Sequence, residues 1–177
     1  ADLERIWQRA DYARMRPQLL ELMKKFKLCY QVGSRDLYIA PQLLPDLAPD
    51  GHRWEPANDL RLQLRYAFMP KGLLTRFIVT RHTDIAGGQM LVWKNGVVLE
   101  WNGTRAEVTE HYRVNDGAIQ IRVQGADPKG LLSIINKTWD ELHADFKGIR
   151  VERRVPCNCT ECQLEPERNV FFPLSRL

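Results

Sequence analysis

The run LVWKNGVVLEWNGTRAEVTEHYRVNDGAIQIRV, residues 91–123, constrains this chain more than any other stretch. β-type segments are punctuated by Asn95-Gly96, Asn102-Gly103 and Asn115-Asp116-Gly117. A two-residue hairpin turn of the favoured type needs positive φ at both central positions, and Asn-Gly supplies that at the least cost. Repetition of the signal predicts an antiparallel meander of about four strands. Just upstream, Leu60, Leu62, Leu64, Tyr66 and Phe68 alternate with Arg61, Gln63, Arg65 and Ala67, the period of a strand with one apolar and one wet face.

Two helices are predicted to cover that apolar face. Pro70 opens KGLLTRFIVTRHTDI, whose Leu73, Leu74, Phe77, Ile78 and Ile85 mark a helix stopped by Gly87 and Gly88. Asp127 caps a second helix with Pro128 at its first position, and Leu131, Ile135, Trp139, Leu142 and Phe146 form its stripe before Gly148. A last strand, IRVERRV, follows. Strands come in runs instead of strict βαβ alternation, so the fold class is α+β: an antiparallel meander sheet with helices packed on one face.

A small helix-plus-hairpin unit precedes it. In RPQLLELMKKF the residues Leu19, Leu20, Leu22, Met23 and Phe26 fall at helical spacing, Pro17 suits a first turn, and Glu21 sits four before Lys25. KLCYQV and DLYIA then read as a hairpin around Gly33, Ser34 and Arg35. Such a unit cannot bury its apolar face alone, so it must lean on the rest of the chain or on a segment before it. Four prolines within residues 41–59 read as a connector. The expected organisation is residues 1–45 as helix and hairpin, 46–57 as linker and 58–177 as the main unit.

With 177 residues, 44% hydrophobic and 27% charged, the chain has enough apolar material for a core, which argues against disorder. No run is long and apolar enough to span a bilayer, and ADLERIWQRA has no signal-peptide layout, so a soluble, cytoplasmic chain is expected. Its helix-like opening at Ala1 suggests a piece of a longer polypeptide. A net charge of +4 spread along the chain, with local groups only at Lys24, Lys25 and Lys27 and at Arg150, Arg153 and Arg154, argues against nucleic acid as a partner.

No glycine sits in a G-x-x-x-x-G-K-[ST] frame, so no phosphate cradle is expected. His52, His82, His111 and His143 share no motif with a cysteine. His111 lies on the wet side of its strand, and His82 and His143 are expected at solvent-facing helix positions. Asp140 and Glu141 read as a solvated face, and no active site emerges.

In VPCNCTEC, Cys157, Cys159 and Cys162 form C-x-C-x-x-C. Zinc prefers four thiolate or imidazole ligands, commonly supplied as two pairs, and no second pair exists here. Cys29 is most simply a small buried hydrophobe. Three accounts stand: a tight turn of reduced cysteines that packs and carries the chain away from the last strand, which we favour; a metal site completed by a neighbouring group; and a redox site.

The order LLELMKKFKLCY, YIAPQLLP, FMPKGLLTRFIVTRH, LVWKNGVVLEWNGTRAEV, VPCNCTEC resembles the COR domain (C-terminal of Roc) of bacterial Roco proteins, a family that includes leucine-rich-repeat kinases. The first unit is similar to the end of the first COR subdomain and the second to the second subdomain. The resemblance implies a non-catalytic module with no cofactor of its own, GTP or GDP and Mg²⁺ belonging to a neighbouring Roc domain. It also implies two partners: a second copy, joined through the second subdomain as a homodimer, and the Roc GTPase domain, so that nucleotide state is linked to dimerisation. Contact with Roc is expected at Tyr66, Phe68, Met69, Pro70, Leu73, Arg76 and Phe77, although Pro70 as a helix start and the apolar residues as core would account for them equally. Trp93, Trp101 and Trp139 are candidates for interface anchors or for core. No metal role is implied for the cysteines, which serve as a family marker. The alternative is a small zinc-containing adaptor for protein or nucleic acid.

Overall fold

A computed structural model describes residues 14–55, 59–113, 116–157, 159–160, 162 and 170–176. Helix α1 (Arg16–Lys25) leads into the two-stranded hairpin β1 (Tyr30–Gln31) and β2 (Tyr38–Ile39). After a 3₁₀ turn at Pro41–Leu43 come β3 (Leu60–Tyr66), α2 (Leu73–Thr80) and the single-turn α3 (Ala86–Gln89). The meander is β4 (Val92–Trp93), β5 (Gly96–Trp101), β6 (Thr104–Arg113) and β7 (Asp116–Gly125), followed by α4 (Pro128–Ala144), β8 (Val151–Pro156) and β9 (Phe171–Pro173).

The main sheet runs β4-β5-β6-β7-β3-β8-β9 with every neighbouring pair antiparallel. The α+β class and the meander expected from the turn signals are therefore what the chain forms. Strand β3 is sandwiched between β7 and β8, with Leu62 opposite Ile121 and Leu64 opposite Ile119 and Arg153. In-register pairing puts Leu62, Leu64 and Tyr66 on the same face as Ile119, Ile121 and Val123, where they meet Leu73, Phe77, Leu131, Ile135 and Trp139 from the helices. The Phe77 and Trp139 rings stack at 4.5 Å between α2 and α4. Each such side chain removed from water contributes about 1.5–3 kcal/mol, which makes this face the principal source of stability.

The turns depart from the sequence in one instructive way. Asn102 and Gly103 have φ of 47° and 71°, the two-residue turn that Asn-Gly predicts. Trp93 pairs with Gly96, so the preceding turn is made by Lys94 and Asn95 and not by Asn95-Gly96. Gly96 serves a different purpose: a Cβ there would stand 2.2 Å from the Trp93 ring, which occupies the space a side chain would need. Asn115 of the third signal lies outside the described residues.

The helix expected from Pro70 to Ile85 stops at Thr80 and continues as a 3₁₀ turn over His82–Asp84. Arg81 adopts φ −108° and ψ 18°, which breaks the α-helical ladder before the glycines. Gly87 and Gly88, at φ 63° and 65°, are non-helical positions within Ala86–Gln89 and so are not what stops the helix, which has already ended at Thr80.

The hairpin and the connector both lean on the main unit. Cys29, Tyr30 and Val32 are buried, and Tyr30 stacks on His82 at 4.9 Å, so hairpin and α2 region share one core. The connector lies against the opposite side of the sheet: the Lys94 N–H donates to the Pro45 carbonyl at 2.9 Å, and His52 Nε2 lies 2.9 Å from Glu107 Oε1. Glu107 pairs with Val98, which with Trp93 and Ala86 forms a second, smaller core.

Strand β9 was not anticipated. The cysteine segment does not carry the chain away from β8; it brings the chain back, Val155 pairing with Phe172 and Pro156 with Phe171. Too few residues separate it from the polar QLEPER stretch for periodicity to show.

Candidate interaction surface

Strand β3 ends at Tyr66, and the backbone from Ala67 to Gly72 makes the junction with α2. The pattern alternates burial at this junction. Tyr66 is fully buried, Phe68 is 79% exposed, and Met69 is 4% exposed. Met69 is clamped from both sides: its side chain occupies the space a Cβ on Gly117 would need, 2.4 Å away, and its carbonyl accepts the Tyr112 hydroxyl at 2.8 Å. Leu73 and Phe77 are fully buried and Pro70 is half-buried. Arg76 is half-buried with its guanidinium 5.1 Å above the Phe146 ring, a cation–π contact. Of the seven predicted contact residues, Tyr66, Met69, Leu73 and Phe77 are thus core, and Phe68 alone presents a large apolar side chain. Strand alternation could not reveal this, because Phe68 lies two residues past the strand's end, where the chain has already bent.

Beneath the junction lies a polar cluster that sequence reasoning missed. His143, expected in solvent, is buried on α4 with Nε2 2.9 Å from the Tyr66 hydroxyl. Burial, reinforced by Arg153, lowers the His143 pKa and so favours a neutral ring. Burial also raises the Tyr66 hydroxyl, which keeps its proton. His82 is likewise half-buried and lies with Nδ1 2.8 Å from the Val79 carbonyl, whereas His111 is exposed as expected. The helix stripe was read correctly as apolar, but its flank could not be assigned without knowing where Tyr66 ends.

Glu110 on β6 lies on the inner face with Ala106 and Val108. Burial pushes its carboxyl up to about 7, opposed by a hydrogen bond from the Leu74 backbone N–H. Leu74 is in the first turn of α2, whose N-cap Gly72 has no side chain to offer, so Glu110 caps that helix from another strand. Its Oε1 is buried without a hydrogen-bond partner.

At the end of β3 runs a shallow groove lined by Arg65, Tyr66, Ala67, Arg150 and Glu152. Asp140, expected on a solvated face, pairs with Arg153 from β8. Among the three tryptophans, Trp93 and Trp139 are buried and belong to the core, while Trp101 is 38% exposed. On α1 no residue is buried, and Leu22 and Phe26 are exposed. Its acid pairs one residue earlier than expected, Glu21 with Lys24 at 2.7 Å.

The cysteines divide. Cys29 is 2% exposed, the small buried hydrophobe expected, and burial raises its thiol pKa. Cys157 and Cys162 are half-buried and Cys159 is exposed, so the triplet does not pack into a core. Their Sγ atoms all lie within 4.8 Å of one another. The Cys162 thiol is pushed up to about 11, first by its hydrogen bond with Cys159 and then by burial and Cys157.

Among the described residues no helix is long and apolar enough to cross a membrane. A seven-stranded antiparallel sheet covered by helices, preceded by a small helix-and-hairpin unit, defines the class: an α+β module. The family profile "C-terminal of Roc, COR-B domain" matches residues 57–177, and "C-terminal of Roc, COR-A domain" matches residues 1–44. The chain belongs to the COR family, the non-enzymatic region that follows Roc in Roco-type proteins. It is 33% identical over 155 residues to a Roc-COR-CHAT protease of Runella zeae, covering 84% of this chain and 16% of that protein. A second Roc-COR-CHAT protease, from an unknown prokaryotic organism, is 27% identical over 142 residues, covering 76% and 13%. The probable serine/threonine-protein kinase qkgA of Dictyostelium discoideum is 30% identical over 120 residues, covering 56% and 7%. This chain therefore spans a sixth or less of the length of the curated relatives it matches.

Proposed function

We propose that this chain is a coupling module of a cytoplasmic multidomain Roco GTPase. A Roc G domain of the same polypeptide docks at the β3–α2 junction, and the unit from residue 58 onward pairs with its own copy, so that nucleotide state and dimerisation are linked. GTP or GDP and Mg²⁺ belong to Roc. The relatives named Roc-COR-CHAT protease suggest that the output of such a polypeptide is an effector domain beyond COR.

The observation that carries this reading is Phe68. A phenyl ring left 79% exposed between the buried Tyr66 and Met69 contributes little to folding. Its backbone is nevertheless held rigidly by the clamp on Met69, so an approaching partner meets an anchor already in position, the arrangement typical of interface hot spots. The groove at the end of β3, with Arg65, Arg150 and Glu152, would supply polar contacts to the same partner.

Phe68→Ala tests it. In the polypeptide carrying Roc, the substitution should change GTP turnover or weaken Roc docking by at least about 1 kcal/mol. Thermal stability of the 177-residue chain should shift by less than about 0.5 kcal/mol. Unchanged turnover and docking in a folded variant removes the junction from the interface. Light scattering across a concentration series should show a monomer–dimer equilibrium for the chain.

A further inference from the structure

We propose that Cys157, Cys159 and Cys162 form a structural zinc site that fastens the β8–β9 edge of the sheet. Of the three accounts open for this triplet, packing fails on burial. A cysteine used as a small hydrophobe is buried like Cys29, whereas Cys159 is exposed and the other two only half-covered. A disulfide fails on number, because it joins two sulfurs and gives no reason for a third to converge. All three Sγ atoms nonetheless lie within 4.8 Å of one another. Three thiols from six consecutive positions meeting at one point is the arrangement a cation requires.

Zinc fits the donor set. Thiolates are soft ligands that select Zn²⁺, Cu⁺ and iron–sulfur clusters over Mg²⁺ or Ca²⁺. Zn–S bonds of about 2.3 Å in a tetrahedron place sulfurs about 3.8 Å apart, a contraction of about 1 Å at most from the limit observed. Zn²⁺ would displace the thiol protons to solvent and bind three thiolates. Among the described residues no further His, Cys, Asp or Glu, Cys29 included, joins the group.

The place of the site explains what it would do. Cys157 directly follows β8, and its N–H donates to the Val170 carbonyl at 2.7 Å, closing the neck of a connection that returns as β9. Strand β9 has three residues, too few to hold an edge by hydrogen bonds alone. A metal clip immediately above the neck would tie residues 157–162 together and lower the entropy cost of pairing β9 with β8.

The test is titration of the reduced 177-residue chain with Co²⁺ under anaerobic conditions. One equivalent should produce thiolate-to-cobalt charge transfer and the strong visible bands of tetrahedral coordination, and Zn²⁺ should bleach them. Cys159→Ser should weaken Co²⁺ binding at least about tenfold, and Cys29→Ser should leave it unchanged. Bound Zn²⁺ should also protect Cys157, Cys159 and Cys162 from alkylation. Should the serine variant unfold, X-ray absorption at the zinc edge of the loaded wild-type chain decides: three sulfurs at about 2.3 Å support the site, and a shell of nitrogen and oxygen only overturns it. A folded, fully reduced chain that gives no cobalt–thiolate bands overturns it as well.

Discussion

Helices α1 and α2 carry the same kind of sequence signal and meet different fates. Helix α1 has ten residues carrying Leu19, Leu20, Leu22 and Met23, with Phe26 just past its end, yet none of these is fully buried. Helix α2 has eight residues, of which Leu73, Leu74, Thr75, Phe77, Ile78 and Val79 are buried. Helical periodicity states that a face will be covered; it does not state by what. For α2 the cover is the sheet and α4. For α1 the described residues supply only partial cover, leaving Leu19, Leu20 and Met23 half-buried and Leu22 exposed.

The sharpest way to break this contrast is to cut into the cover of α2. Trp139→Ala removes a fully buried ring stacked on Phe77 and should cost about 3–5 kcal/mol, read as a fall in the denaturation midpoint. A smaller effect comes from the cap. The Glu110 carboxyl titrates near 7 in the folded chain against an ordinary value of 4.5, so the folded state binds more protons between those values. Stability from this group is full below about pH 4.5 and is lost as pH rises through about 7. Glu110→Gln keeps an acceptor for the Leu74 N–H and should stabilise the chain at pH 8 by on the order of 1–2 kcal/mol, after discounting for solvent screening. At pH 4 the gain should vanish. A gain that persists at pH 4 would assign the effect to packing and not to charge. The smallest effect is expected at the end of α1: Phe26→Ala, at the residue that follows the helix, should change stability of the 177-residue chain by less than about 0.5 kcal/mol. A loss comparable to a core substitution would mean that α1 is packed in solution, and the contrast would fail.

These helices also mark where sequence reading reaches and stops. The sheet was legible because alternation in Leu60–Tyr66 and the Asn-Gly turns are local properties, fixed by φ and by side-chain direction. Strand β9 escaped because three residues carry no period. At the junction, apolar character was visible in Tyr66, Phe68 and Met69 alike, but which of them faces outward depends on Gly117 and Tyr112 in other strands. His143 was misplaced for the same reason: its partner Tyr66 is 77 positions away. The convergence of three cysteine sulfurs depends on the backbone path through that turn, which spacing alone leaves open.

The rims of the large sheet have a consequence for assembly. One rim is the two-residue β4, the other the three-residue β9 with a proline at its end. Neither offers a template long enough for a neighbouring chain to add a strand, and proline withholds the donor such an addition would need. Strand addition at these two short rim strands is therefore disfavoured, and the proposed pairing of copies would have to use a broad surface, where a two-fold arrangement closes on itself after a single partner.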